Sequence, residues 1–503
     1  MSVDDTGRIH RPLTPTARRI VFGPAPHPGG SGVSPGIFPT RAEELSRLSE
    51  VDRAHLVMLA EQGIIGLEAA TALLSEIARL RALDFAPLRE REARRGLHLL
   101  YEDWLVSRLG VQTAGVLRTG RSRNDVNATV LLLRLRAPYQ RLMLEGLRLQ
   151  AVLLARARRH RSMVMPAYTH YQAAVPITFG HYLAGVALAL DRDLEPLARL
   201  GADLGRCPLG AGAGGGTAVP IDPERTATLL GFEAGVVHSV DAVASRDLVL
   251  RLLSGAAVLG VTLSRLTADL LLWTTAEFGF LVLPDELVGS SSHMPQKRNP
   301  FLLEHAKGRA AAPLGAFVAA ATSMHATPFA NSVAVGTEGC SEVVAALGAV
   351  ADAVALLRLV LSGARPRPDV MLAQAIAGQT SATALADRLV TRHGLSFREA
   401  HHLVGSLLTE AGDGLEAGVL PRLRQAGIEI TAGALHPTRV VSAACHGAGP
   451  GAALPLEGVR HRRGAWVSEH QSRHRRWSES AAALDTAVSH LTSPTMPEIL
   501  ARS

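Results

Sequence analysis

The segment SSSHMPQKRNP, Ser290 to Pro300, gathers several reactive residue types in a loop bounded by Ser, Gly and Pro. It holds Ser291, Ser292, Met294, Lys297 and Asn299, and Glu304 follows on the next helical stretch. Of the 52 basic residues in the chain only Lys297 and Lys307 are lysines. Arginine presents a planar fork, whereas lysine presents a compact point charge with rotatable donors. A lysine here suits a loop that must bring a point charge up to a small anion. Successive backbone N–H groups in such a Ser- and Pro-constrained loop form an anion-binding nest.

Two other polar, turn-rich stretches stand out. TGRSRNDVNATV, Thr119 to Val130, places Gly and short polar residues ahead of a helix, with Asn124 or Asp125 expected as the N-cap. Capping does not account for Arg121, Ser122, Arg123 and Asn124 together. That set has the chemistry of a carboxylate-binding cluster, because arginine grips carboxylates bidentately. PAYTHYQAAVPITFGHYL, Pro166 to Leu183, sets Thr169, His170 and Gln172 just ahead of an apolar helix. A histidine flanked by hydrogen-bonding side chains is a tunable acid or base. The glycine run GAGAGGGT has neither a Lys-Ser/Thr ending nor a preceding strand, which argues against a phosphate loop.

Something must hold these loops. At 503 residues the chain is long enough for several domains. It is 47% hydrophobic and 19% charged, and its aromatic content of 4% with abundant Ala, Leu and Val predicts helix packed on helix. Leu252, Ala256, Leu259, Leu263, Leu266, Leu270 and Trp273 recur at alternating spacings of four and three. That is the seam of long helices packed side by side. Leu144, Leu147, Ala151 and Leu154 repeat the pattern, and strand-like alternation is almost absent. The expected fold is all-α. Its divisions are a flexible arm over 1–38, an N-terminal helical domain over 39–118, a long-helix bundle over 119–366, and a small helical domain with a tail over 367–503.

The formal charge is +7, yet the arginines are scattered in ones and twos, and the densest runs, LARARRHR and SRHRRW, lack interleaved aromatics for stacking bases. Attraction of small anionic substrates is the preferred use of this field, and no nucleic-acid partner is expected. The apolar stretch VVAALGAVADAVALLRLVL carries Asp352 and Arg358, which fits a core helix better than a membrane span. Cys207, Cys340 and Cys445 offer no disulfide framework, and the first residues lack the apolar segment of a secretory signal. A cytoplasmic location is expected.

The loop Ser290–Pro300 resembles the signature G-S-S-x-M-P-x-K-x-N-P of the aspartase/fumarase superfamily. TGRSRND and YTHYQAAVPITFGH resemble the other two blocks, in the wording of the argininosuccinate lyase subgroup. PLGAGAGGGTAVPIDPERTATLLGF, SVDAVASRDLVL and LADRLVTRHGLSFREAHHLVG add to the likeness, which spans roughly residues 45 to 410. The resemblance implies a carbon–nitrogen lyase that eliminates fumarate from an N-substituted aspartate, without a cofactor or a metal. It implies Ser291 as the base and Lys297 with Asn299 as holders of the charged carboxylate. Thr169, Gln172, Ser292 and Met294 would line the substrate, His170 would pair with Glu304, and Ser122, Arg123 and Asn124 would bind the succinyl part. It also implies a homotetramer with a twenty-helix core, each site taking loops from three subunits.

Four positions depart from the pattern: Val126 for a glutamine, Ser290 for a glycine, Phe301 for an acid, and PFANSVAVGTEG (Pro328 to Gly339) where a polar stretch reads the arginine half. A buried guanidinium without partners costs several kcal/mol, on the order of 2–7 for a polar group. The leaving amine is therefore expected to be something other than arginine, such as a diamine or an amino acid; a lyase of ethylenediamine disuccinate is one concrete form. The alternatives are a true argininosuccinate lyase and a non-catalytic, crystallin-like relative.

Overall fold

The computed structural model describes residues 13–22, 40–94, 96–411 and 414–493, and most of them are helical. In chain order the main elements are α1 (Arg41–Glu61), α2 (Leu67–Ala82), α3 (Leu97–Leu109), α4 (Arg123–Arg159), the hairpin β1 (Val164–Thr169) and β2 (Gln172–Thr178), and α5 (Phe179–Asp203). Next come α6 (Asp247–Trp273), α7 (Phe301–Ala310), α8 (Ala312–Met324), α9 (Val343–Gly363), α10 (Pro368–Ala377), α11 (Ala382–His393), α12 (Phe397–Ala411) and α13 (Glu457–Thr492).

Helices α4 to α9 form the bundle. The whole seam Leu252 to Trp273 is buried on α6, none of its side chains more than 4% exposed. On α4 the expected stripe is only partly right: Leu147 and Leu154 are buried, whereas Leu144 and Ala151 are half-buried. The face that packs inward instead runs through Leu135, Tyr139, Leu142, Leu149 and Leu153. A helix surrounded on several sides buries more than one stripe, so a single seam under-describes it. By length and composition α6 and α9 are apolar enough to cross a bilayer. Both pack in the bundle, and the charges of α9 are paired there. Asp352 meets Arg141 and Arg309, and Arg358 Nε reaches Glu145 at 2.9 Å.

A second core joins α1, α2 and α3. The Arg- and His-rich tail turns out to be the 36-residue α13, which returns to this core and buries Leu484 and Val488 in it. Within the stretch expected to be a flexible arm, Pro15–Phe22 is helical and buries Ala17 and Ile20 against the bundle; residues 1–12 and 23–38 of that arm lie outside the described residues. Helices α11 and α12 carry a third, smaller core around Leu385, Leu389, Ala400 and Val404.

Two histidines of the N-terminal helices, buried His55 and half-buried His98, are held neutral. Burial, reinforced by Arg121, pushes His55 down to about 3, while its Nε2 lies 2.8 Å from the Thr119 carbonyl oxygen. His98 is also pushed down to about 3, by burial and then by Arg121, Arg118 and Arg123. The unfolded chain takes up these protons near pH 6.5 and the folded chain does not. Stability conferred by the neutral rings is therefore complete above about 6.5 and is lost as pH falls toward about 3. Denaturant midpoints measured from pH 7.5 down to 4.5 should decline steadily. A flat profile would mean that the rings are not buried neutral.

Candidate active site

Each of the three loops has its own scaffold. The first opens α4. Ser122, not Asn124 or Asp125, is the N-cap: its Oγ accepts from the Asn124 N–H at 3.3 Å, and its own N–H donates to Asp125 Oδ1 at 3.0 Å. This reciprocal box satisfies two helix-end donors at once, which a cap one or two residues later would leave unmade. Asp125 is wholly buried. Its Oδ1 also accepts from the Val126 N–H, and its Oδ2 accepts from the N–H groups of Gly210 and Gly212 at 3.0 and 2.9 Å. The glycine run is thus an anion nest, and its anion is the carboxylate of Asp125. Gly210 and Gly212 sit at φ +105° and +60°, which L side chains rarely adopt. Burial pushes the Asp125 carboxyl up and these amide donors oppose the shift.

Arg121 does not join the carboxylate-binding cluster. Its guanidinium is buried against Asp52 at 2.6 Å, so it anchors the loop to α1. Arg123 is exposed, while Ser122 and Asn124 are half-buried. Asn124 Oδ1 accepts from Asn331 Nδ2 at 2.8 Å. This one bond joins the first loop to Pro328–Gly339. Val126 is buried in the N-terminal core, where an apolar side chain suits the packing.

The second loop is the tip of a hairpin that the sequence pattern did not reveal. Thr169 pairs with Gln172 across a two-residue turn, with His170 at φ 54° and Tyr171 at φ 62°. Two-residue hairpin turns of this hand normally use Asn and Gly. Holding two larger residues there stores backbone strain, a feature that clusters at functional sites. Thr169, His170 and Gln172 are exposed, and Tyr171 is 87% exposed. At its other end β2 stops at Thr178, whose Oγ1 accepts from the His181 N–H at 2.9 Å and caps α5. The turn after α10 steadies the hairpin: a Cβ on Gly378 would lie 2.9 Å from the Ala173 methyl.

The third loop is a flap with a closed base. Gly289 and Asn299 exchange two backbone hydrogen bonds of 2.9 Å, and Arg298 ties the base to Asp285 and to the Leu283 carbonyl. Phe301 packs on Gly289, where a Cβ would come within 3.0 Å of the ring. The phenyl ring in place of an acid thus buttresses the flap. Inside the flap, Ser291 Oγ accepts from the N–H groups of Met294 at 3.0 Å and His293 at 3.4 Å. Ser292, Met294 and Lys297 are exposed, Ser291 and Asn299 are half-buried, and Glu304 is exposed in the first turn of α7.

Among the described residues, no hydrogen bond or ion pair joins the flap, the hairpin tip and the first loop to one another, or His170 to Glu304. Among them there is also no grouping of three or more His, Cys, Asp or Glu side chains suited to a metal ion. Asn331 is a site neighbour that residue patterns missed individually. Its signal was present: it is the only amide in PFANSVAVGTEG.

Residues 46–315 match a family model described as Lyase, and 379–431 match one described as Argininosuccinate lyase C-terminal. Fold and motifs thus define a carbon–nitrogen lyase of the aspartase/fumarase superfamily. The argininosuccinate lyase of Methanosarcina barkeri is 35% identical over 365 residues, which is 72% of this chain and 73% of that one. Among solved structures, an EDDS lyase in complex with formate is similar at TM-score 0.83 and 28% identity, over 97% of this chain and 99% of that one. A class II fumarase from Schistosoma mansoni shares the fold at TM-score 0.68 and 15% identity, over 86% and 97%. The chain belongs to the argininosuccinate lyase subgroup.

Proposed function

We propose that the protein eliminates fumarate from an N-substituted aspartate and releases an amine other than arginine. The observation that carries this reading is the environment of Ser291, whose oxygen accepts two backbone N–H bonds at 3.0 and 3.4 Å. Fixed amide donors aimed at a hydroxyl oxygen favour its alkoxide and make a poor base competent. The alkoxide removes the proton from the carbon beside a carboxylate. That electron pair forms the double bond, the carbon–nitrogen bond breaks, and the nitrogen, protonated beforehand, leaves as the neutral amine. Lys297 and Asn299 hold the carboxylate that carries the extra negative charge in the intermediate. Ser292, Met294, Thr169 and Gln172 line the substrate, and Ser122, Arg123 and Asn124 bind its succinyl half. Glu304 orients the His170 imidazole and supports its charge.

These groups meet through assembly of a homotetramer with loops contributed by three copies. Support comes from the outer faces of the bundle. Val258, Val261 and Leu272 on α6 and Leu314 and Val318 on α8 are 39–57% exposed, an apolar surface that association would cover. The amine half is read by Pro328–Gly339, which Asn331 ties to Asn124. Its only charged side chain is Glu338. An EDDS lyase variant has been solved with bound fumarate, which supports the fumarate half of this reading.

The test is reverse addition. With fumarate in excess and a panel of amines, fumarate absorbance should fall and N-substituted aspartates should appear with amines other than arginine. Addition to arginine alone would return the protein to true argininosuccinate lyase activity.

A further inference from the structure

We propose that the amine side of this site selects an apolar, aromatic or branched substituent that carries no positive charge beyond the reacting nitrogen. The inference rests on the lyase reading above and narrows its substrate class, setting diamines aside.

The strongest observation lies on either side of Asn331. Phe329 is 70% exposed and Val333 is 69% exposed, in the same stretch that the Asn331–Asn124 bond fixes to the substrate loop. Their placement is not slack. Ser332 caps the short helix Val333–Gly336 by accepting from the Val335 N–H at 3.3 Å, and Val335 is buried beneath it. Tyr171, 87% exposed, stands between His170 and Gln172 at the hairpin tip. Burying such side chains against an apolar substituent removes apolar surface from water and favours binding.

Charge behind the stretch points the same way. Arg246 is buried at 6% exposure, donates to the Ser245 carbonyl at 2.6 Å and lies against the Cys340 thiol, with no carboxylate partner among the described residues. A Cβ on Gly336 would lie 2.6 Å from Asn331 Oδ1 and 3.9 Å from an Arg246 guanidinium nitrogen. A buried cation therefore lies close to Asn331. A second positive charge on the amine would be repelled there, and more strongly as the closing site excludes water. Glu338 is the one carboxylate of the stretch, exposed on the turn Glu338–Cys340, and it is the residue through which a cationic amine would have to be held.

The assembled enzyme is assayed for fumarate consumption with benzylamine and cyclohexylamine against ethylenediamine and arginine. The variants are Phe329→Asn with Val333→Asp, and Glu338→Gln, with molar mass followed in solution. The wild type should favour the apolar amines by about tenfold or more in kcat/KM. The double variant should lose most of that preference while keeping its mass and its KM for fumarate. Preference for the cationic amines, particularly one abolished by Glu338→Gln, overturns the selectivity and leaves the lyase reading standing. Loss of assembly in the double variant with unchanged selectivity in the residual tetramer also overturns it. Failure with every amine overturns both readings.

Discussion

Ser291→Ala is expected to lower turnover by about a thousandfold, the middle of the range lost with a positioned general base. Release of fumarate from an N-substituted aspartate, or its consumption with an amine, provides the readout. The fold should be indifferent to the change, because among the described residues the Ser291 hydroxyl bonds only to N–H groups of its own flap. The flap base is held by other contacts: the Gly289–Asn299 pair, the Arg298 anchors and the Phe301 ring. Circular dichroism and molar mass should therefore match the wild type. Activity within tenfold of the parent would remove Ser291 from the role of base. Lys297→Ala would then be the next variant to make, since its point charge is assigned, with Asn299, to the carboxylate that carries the extra negative charge.

The second large effect concerns stability. Asp125→Ala deletes a carboxylate that accepts from four backbone N–H groups, those of Ser122, Val126, Gly210 and Gly212. Each buried donor left unpaired costs about 1–3 kcal/mol, and partial rescue by water brings the expected loss to about 3–5 kcal/mol. Chemical denaturation measures it. Asp125→Asn keeps one accepting oxygen and should fall between the alanine variant and the parent. Because the same residue closes the capping box, its loss also loosens Ser122 and Asn124. Catalysis should therefore suffer at temperatures where the variant remains folded. A variant as stable as the parent would mean that the glycine run has no need of its internal anion.

The long helices were legible because one physical cause dominates them. Leu252 to Trp273 must face a neighbouring helix, and every one of those side chains does. The hairpin was not legible. Its strands, VMPAYT and QAAVPIT, contain proline and small residues instead of alternating β-branched ones, and its turn is His-Tyr. Turn chemistry gave no sign because tertiary contacts, Gly378 against Ala173 among them, hold a conformation that local preference disfavours. Arg121 shows the opposite error. Residue type alone placed it with the carboxylate binders, yet its carboxylate is Asp52, nearly 70 positions back in the chain. Composition likewise gave no hint that an Arg- and His-rich tail would be a single long helix, since its buried contacts are few and widely spaced, at Val459, Arg473, Leu484 and Val488. The chemical loops themselves were recognisable by residue type and order. Their meeting was not, because no hydrogen bond or ion pair among the described residues joins them within one chain.

Mixed assemblies give the most direct test of a site shared between subunits and driven by Ser291. Ser291→Ala and His170→Asn subunits, each expected to be inactive when assembled alone, are co-expressed with different tags, and the hybrids are purified through both. Within one hybrid some sites receive an intact flap and an intact hairpin from different subunits, so fumarate-forming activity should return. Hybrids of correct mass that remain as inactive as either parent would contradict the shared site, and with it the chemistry assigned to these three loops.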